Sequence, residues 1–283
     1  MGGCHGPAPQ QVGVPAYWSP ATADGRAVFQ RLAQTVPAPR IVVVNGSRSA
    51  PEVPYNPAWS DAVRTLNSAG TLPLGYVDTG YLGTDSGSGS SATRTDGPGG
   101  GRRTADAWIE QIENDIDTWY SLYGTDGLRG IFLDQTTALC GPGNSYVDRY
   151  RAIAEHVRRG HAGAYVVMNP GRSIEQCYRQ IADTFVTFEG SYHDYLSRAA
   201  PSWEATAPAG TFWHLVYAAP DQASMARAVA LSKQRNAGYV YVIDRPIPPG
   251  GHAHLWDTIP PDGYWRAEIA AVSGRTPNAR RHA

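Results

Sequence analysis

Gly130-Ile131-Phe132-Leu133-Asp134 is apolar until its last residue, and that residue is an acid. A carboxylate is costly to bury without a partner, so an acid that closes an apolar run marks the point where a buried strand opens onto solvent or a pocket. Thr184-Phe185-Val186-Thr187-Phe188-Glu189 closes in the same way. Ile41-Val42-Val43-Val44 and Tyr239-Val240-Tyr241-Val242-Ile243 are near-continuous apolar runs. Such runs suit strands covered on both faces, as in parallel sheets. Working outward gives eight candidate strands: Gly13–Trp18, Arg40–Asn45, Leu72–Asp78, Gly130–Asp134, Ala164–Asn169, Thr184–Glu189, Thr211–Tyr217 and Tyr239–Asp244.

Helical signals fill the gaps. Trp108, Ile112, Ile116, Trp119 and Tyr123 recur at three- and four-residue steps and form one apolar stripe. Thr104 and Asp106 suit the first turn of that helix. Asn144–Arg159, with Tyr146, Tyr150, Ile153 and Val157 as its stripe, and Ser224–Asn236, ended by Gly238, are read as further helices. Strand and segment alternate eight times, which predicts an α/β fold: a single (β/α)8 TIM barrel. No Gly-x-Gly-x-x-Gly follows the first strand, so a dinucleotide fold has little support. Thr84–Arg103 interrupts the rhythm with a Gly/Ser-rich insertion after strand 3, too polar to build a core and expected to lack regular structure. It is read as a mobile lid or a flexible insertion without function. The barrel is assigned to residues 12–273, and residues 1–11 and 274–283 are expected to be disordered tails.

The 283 residues carry a formal net charge of -1, so no basic field points to nucleic acid. No apolar run approaches a membrane span. The chain is expected to act as a monomer without cofactor or metal. His252 and His254 form a His-x-His, but no third ligand is evident. No Ser nucleophile elbow, Cys–His pair or phosphate loop stands out. Cys140 and Cys177 are read either as a disulfide, in keeping with a secreted or cell-surface protein, or as two buried thiols. Met1–Pro7 lacks the apolar core of a secretory leader and is read as a trimmed or mature end.

In a barrel the C-terminal ends of the strands surround one pocket. The residues there are acids, amides and aromatics. Asp134 and Glu189, two strands apart, are candidates to flank a glycosidic bond, one protonated and one ionised. Tyr17, Asn45, Tyr76, Asp78, Tyr81, Gln135, Asn169, His214 and Asp244 are candidate substrate contacts. Amides and acids bond sugar hydroxyls, and aromatic faces cover the apolar face of a sugar ring. Simpler roles compete: an N-cap or buried ion pair for Asp134, a salt bridge to a nearby Arg for Glu189, a turn for Asn169 before Pro170-Gly171, and a loop anchor for Asp78.

These strand ends carry a resemblance. Val14-Pro15-Ala16-Tyr17, Val43-Val44-Asn45-Gly46-Ser47, Gly75-Tyr76-Val77-Asp78-Thr79-Gly80-Tyr81, Gly130-Ile131-Phe132-Leu133-Asp134, Val167-Met168-Asn169-Pro170-Gly171 and Phe188-Glu189-Gly190-Ser191-Tyr192 occur in order between about Val14 and Trp265. Together they resemble the spherulin-4 family, the spherulation-specific proteins of glycoside hydrolase family 135, and are more distantly similar to the family 114 endo-α-1,4-polygalactosaminidases. The resemblance implies a TIM barrel and endo-hydrolysis of α-1,4-linked galactosamine or N-acetylgalactosamine in exopolysaccharide such as galactosaminogalactan. It implies a catalytic Asp-Glu closing the fourth strand and a Glu on the sixth. Asp134 and Glu189 match; Gln135 stands where the family has Glu, and Asn45-Gly46-Ser47 departs from the Asn-Pro-Asn/Ser-Gly of many relatives.

Two mechanisms follow from these residues. In one, Asp134 attacks the anomeric carbon and Glu189 is acid, then base. In the other, a substrate N-acetyl group attacks and Asp134 stabilises it. Three functions stay open: an endo-glycosidase, a weakly catalytic carbohydrate-binding barrel suggested by Gln135, and an extracellular structural protein.

Overall fold

The computed structural model describes residues 9–46, 50–84, 104–247, 255–257 and 259–274. Its elements run β1 (Gln11–Ala16), α1 (Ala23–Gln34), β2 (Ile41–Val44), α2 (Pro57–Ser68), β3 (Leu72–Asp78), α3 (Ala105–Tyr123), β4 (Gly130–Asp134), α4 (Ser145–Gly160), β5 (Tyr165–Met168), β6 (Thr184–Ser191), α5 (Tyr192–Ser197), β7 (Phe212–Tyr217), α6 (Gln222–Gln234), β8 (Tyr239–Val242) and α7 (Asp262–Ser273). The eight strands are parallel, pair in sequence order and close between β1 and β8. This is the (β/α)8 barrel that the strand pattern predicts. Its helical layer is uneven: β5 and β6 are joined by a short 3-10 turn at Gln176–Tyr178, and α5 has only six residues.

The alternation of side chains places every strand residue on one of two layers. Tyr76 and Phe132 meet inside, with ring centroids 6.0 Å apart, and Trp213 joins Phe132 at 5.9 Å. Gly13 makes room for that indole: a Cβ there would lie 2.8 Å from Trp213. On the outer layer Gly75 lets Trp119 of α3 press against β3, and a Cβ would meet its ring at 2.7 Å. The same indole donates to the Tyr76 carbonyl at 2.8 Å. The helix is therefore pinned to the strand that carries a site residue.

Helix starts follow the residues that favour them. Thr104 caps α3 by accepting from Ala107 N–H, and Asp221 caps α6 by accepting from Ser224 N–H. The barrel begins slightly earlier than its apolar pattern indicates. Gln11 opens β1 by donating to the Gly238 carbonyl, and the Gln10 amide bonds Ser232 and the Ala237 carbonyl. These fixed residues shorten the tail expected over 1–11. Residues 1–8 and 275–283, the segment 85–103 and the His252/His254 pair lie outside the described residues.

Cys140 and Cys177 form a disulfide with Cα atoms 6.1 Å apart, which settles the choice against two free thiols. It ties the connection after β4 to the connection after β5. With Glu175, these cysteines are also the one group of possible metal ligands found among the described residues, but their sulfurs are committed to each other. Closing a loop between residues separated by 37 positions restricts the unfolded chain. Replacing both cysteines by serine should cost about 3–4 kcal/mol and lower Tm by roughly 10 °C in a calorimetric scan. A double variant melting within about 1 °C of the parent would remove this stabilising role.

Candidate active site

Barrel closure puts β4, β5 and β6 side by side, so the residue just past β5 stands between the C-terminal ends of β4 and β6. That residue is Asn169. Its Nδ2 donates to Asp134 Oδ1 at 2.8 Å and to Glu189 Oε2 at 2.8 Å. The amide orientation is fixed from behind, because Asn169 Oδ1 accepts from Gly171 N–H at 2.9 Å. A flipped amide would turn an oxygen toward two carboxylates and an NH2 toward an N–H donor. Oxygens 2.8 Å from one shared nitrogen are at most about 5.6 Å apart, whatever the angle between them.

Further donors surround the pair. The Tyr76 hydroxyl bonds Asp134 Oδ2, and the adjacent Gln135 N–H favours the Asp134 anion. The Trp256 indole N–H donates to Glu189 Oε1 at 2.9 Å. Burial and then the negative charge of Glu189 push the Asp134 pKa up to about 6, against the opposing effect of its hydrogen bonds. The phenols of Tyr76 and Tyr17 are pushed well above 10, first by burial and then by the Asp134 charge, so both stay protonated donors. Of the pair, the raised pKa falls on Asp134, the residue read as the nucleophile.

The other candidates divide. Tyr17 packs edge-on against Tyr76, with centroids 5.4 Å apart, and its N–H bonds the Trp256 carbonyl at 3.3 Å. Tyr81 lies within electrostatic reach of Asp134, Glu189 and Asp78, and burial followed by those charges raises its pKa. Asp78 is in register with Asp134, and its Oδ1 accepts from Gly80 N–H at 2.9 Å, which makes it an anchor of the loop after β3. Asn45 directly follows β2, with its Oδ1 buried and without a hydrogen bond among the described residues. Gln135 is half-buried beside Asp134 and holds a positive φ of 52°.

Two candidates stand apart from the pair. His214 is fully buried on the outer layer of β7, where its Nδ1 meets the Tyr195 hydroxyl of α5 at 2.7 Å. Burial first, and then the charges of Arg198 and Arg235, push its pKa well below 6.5. It is a neutral packing residue, and its assignment as a substrate contact is corrected by strand parity: Trp213 faces in, so His214 faces out. Asp244 is half-buried past β8, where its charge acts on Tyr241 and Tyr264, and it makes no hydrogen bond to either carboxylate.

Trp256 was missed by sequence reasoning. It lies in the loop after β8, where no strand or helix period singles out a residue. Its location on an active-face loop of a barrel was the available signal. Tyr217 at the end of β7 also comes within reach of the Glu189 charge, which contributes to its raised pKa after burial and Asp194.

Comparison with known proteins agrees with this architecture. The structure of Aspergillus clavatus Sph3 in complex with GalNAc is 22% identical, covers 94% of this chain and 98% of that one, and superposes with a TM-score of 0.67. A chitinase from Chromobacterium violaceum is 13% identical over 93% of this chain and 100% of its own, with a TM-score of 0.55. Both likenesses establish a shared fold. Spherulin-4 of Physarum polycephalum is 26% identical over 171 residues, which are 60% of this chain and 42% of that protein. The chain therefore spans less than half the length of that relative. The model of spherulation-specific family 4 matches residues 11–272, nearly the whole barrel, and the chain belongs to that family.

Proposed function

We propose that this chain is a secreted glycoside hydrolase that cuts α-1,4-linked galactosamine or N-acetylgalactosamine polysaccharide internally, with Asp134 and Glu189 as its working carboxylates. The carrying observation is the shared Asn169 amide, which keeps the facing carboxylate oxygens within hydrogen-bonding reach of one nitrogen. Retaining glycosidases hold their carboxyl groups about 5–5.5 Å apart, and inverting ones about 6.5–9.5 Å apart to admit a water. The close pair supports the retaining arrangement. The tyrosines and Trp256 around it are suited to bonding hydroxyls and covering sugar faces. Sph3 was solved with GalNAc bound, which supports a galactosamine-type sugar here. The disulfide suits an oxidising compartment.

In the proposed reaction Asp134 attacks the anomeric carbon while Glu189 protonates the departing glycosidic oxygen. Water then opens the glycosyl-enzyme ester, with Glu189 taking its proton. Tyr76 and Asn169 hold the two Asp134 oxygens, and Trp256 and Asn169 hold those of Glu189. With an N-acetylated sugar, the acetamide oxygen attacks instead and Asp134 steadies the positive charge that forms. A non-cleaving carbohydrate binder is the second reading, and Gln135 favours it, because an amide cannot transfer a proton as a carboxyl does.

Incubation with partially deacetylated α-1,4-galactosaminan tests the proposal: new reducing ends are expected. Retention of the polymer without cleavage would favour the binder, and neither result would overturn both. Asp134→Asn and Glu189→Gln should each reduce hydrolysis by about 100-fold or more while leaving the fold intact. If the parent cleaves and both variants keep its rate, these carboxylates are not the catalysts.

The pH profile fixes their roles. A nucleophilic Asp134 must be ionised, and its pKa lies at about 6. So kcat/KM should fall about tenfold per unit as the pH drops below that point. A profile that falls instead as the pH rises through about 6 would make Asp134 the proton donor and Glu189 the nucleophile. Gln135→Glu supplies a last contrast. A gain of about tenfold or more in kcat would mark the parent as a weakened enzyme; an unchanged rate in an active parent would show that Gln135 suffices.

A further inference from the structure

Thr79 directly follows β3 and is fully buried, with no part in the reaction described above. Its hydroxyl lies 2.8 Å from the Asp134 carbonyl, 2.8 Å from the Gln135 carbonyl and 3.0 Å from the Tyr150 hydroxyl. Carbonyl oxygens only accept. The Thr79 proton is therefore shared between the two carbonyls, and the Tyr150 proton must go to Thr79 Oγ1. Thr137 N–H in turn donates to the Tyr150 oxygen at 3.3 Å. The result is one directed chain, from Thr137 through Tyr150 of α4 and Thr79 just after β3, to the peptide groups that carry Asp134 and Gln135.

That stretch of backbone needs holding. Gln135 has φ of 52°, and facing it Tyr81 and Leu82 have φ of 53° and 54°. These are left-handed conformations that residues with side chains resist, and they persist only where surrounding contacts enforce them. Two main-chain bonds cross between the loops: Thr79 N–H to the Asp134 carbonyl at 3.0 Å and Tyr81 N–H to the Gln135 carbonyl at 2.7 Å. The Thr79 hydroxyl adds a side-chain clamp to both carbonyls at once. The turned peptide matters directly, because its N–H favours the Asp134 anion.

We propose that Thr79, backed by Tyr150, is a positioning residue that clamps the Asp134–Gln135 backbone in its strained turn and so aims the Asp134 carboxylate at the site it shares with Glu189. The proposal rests on Asp134 being a working carboxylate. Thr79 touches no substrate, and its effect passes through Asp134.

Three variants test it: Thr79→Val, which keeps the shape and removes the hydroxyl; Thr79→Ser, which keeps the hydroxyl; and Tyr150→Phe. Each is assayed for kcat and KM on galactosaminan oligomers, for Tm, and for the Asp134 carboxyl titration by carbon-13 NMR. Thr79→Val should lower kcat roughly 10- to 100-fold with KM changed less than about threefold, and should move the Asp134 titration away from about 6. Thr79→Ser should recover most of both, and Tyr150→Phe should move both in the same direction as Thr79→Val by a smaller amount. A folded Thr79→Val with the parent's kcat and Asp134 titration would overturn the proposal, as would a folded Thr79→Ser that fails equally. If Thr79→Val does not fold, Tyr150→Phe decides by the same two outcomes. A parent that cleaves no galactosaminan defeats the functional reading alone, since the Asp134 titration still reports on the clamp.

Discussion

A single amide bridges the two carboxyl groups of the site. Close together in a low-dielectric site, Asp134 and Glu189 disfavour each other's ionisation. Asn169 gives one hydrogen to each, and Gly171 holds the amide by its oxygen. This works only because β5 runs between β4 and β6 with its end level with theirs. Asn169 N–H bonds the Leu133 carbonyl at 2.8 Å, and Glu189 N–H bonds the Gly171 carbonyl at 3.0 Å. The register of three strands thus becomes the separation of two carboxylates.

The donors around the pair do not cancel its cost. Tyr76, Gln135 N–H and Asn169 all favour the Asp134 anion, yet burial and Glu189 outweigh them and the pKa stays near 6. A group whose folded pKa lies above its unfolded value of about 3.9 contributes stability that is present at low pH and is lost as the pH rises through the folded pKa. Ionised Asp134 is therefore a load on the fold above pH 6. The rim disulfide, the Trp119 indole on Tyr76 and the Thr79 hydroxyl on Asp134 all act on the strands and loops that bear it.

The barrel was legible because its strands are written as uninterrupted apolar runs, a pattern that depends on burial of both faces and survives without any knowledge of partners. The acids closing β4 and β6 were legible for the same reason: each breaks an apolar run at its end. Exact ends were less so. Gln11 enters β1 through a bond to Gly238, a contact that local sequence does not announce. His214 was misplaced because a strand-end position does not state which layer a side chain faces. Its neighbour decides: Trp213 occupies the barrel interior against Gly13. Asn169 was visible as a polar residue closing a strand, but its bridging role needs three strands at once. Trp256 reaches Glu189 from a loop without periodicity, so its contact became visible only in three dimensions.

Gln135 acquires a physical meaning in this setting. The resemblance carried by the strand ends implies a carboxyl there, next to a pair in which Asp134 is raised to about 6. A third negative charge at that distance would press the Asp134 pKa further upward, since each nearby like charge disfavours ionisation. The neutral amide removes that pressure and leaves the Gln135 peptide N–H to favour the Asp134 anion. The turn that directs this N–H is the strained one, with φ of 52°, and its carbonyl is held by both Thr79 and Tyr81. At position 135 the contribution to Asp134 thus comes from the backbone rather than from a charged side chain. A backbone donor needs to be held in place, which is what the contacts between the loops after β3 and β4 provide.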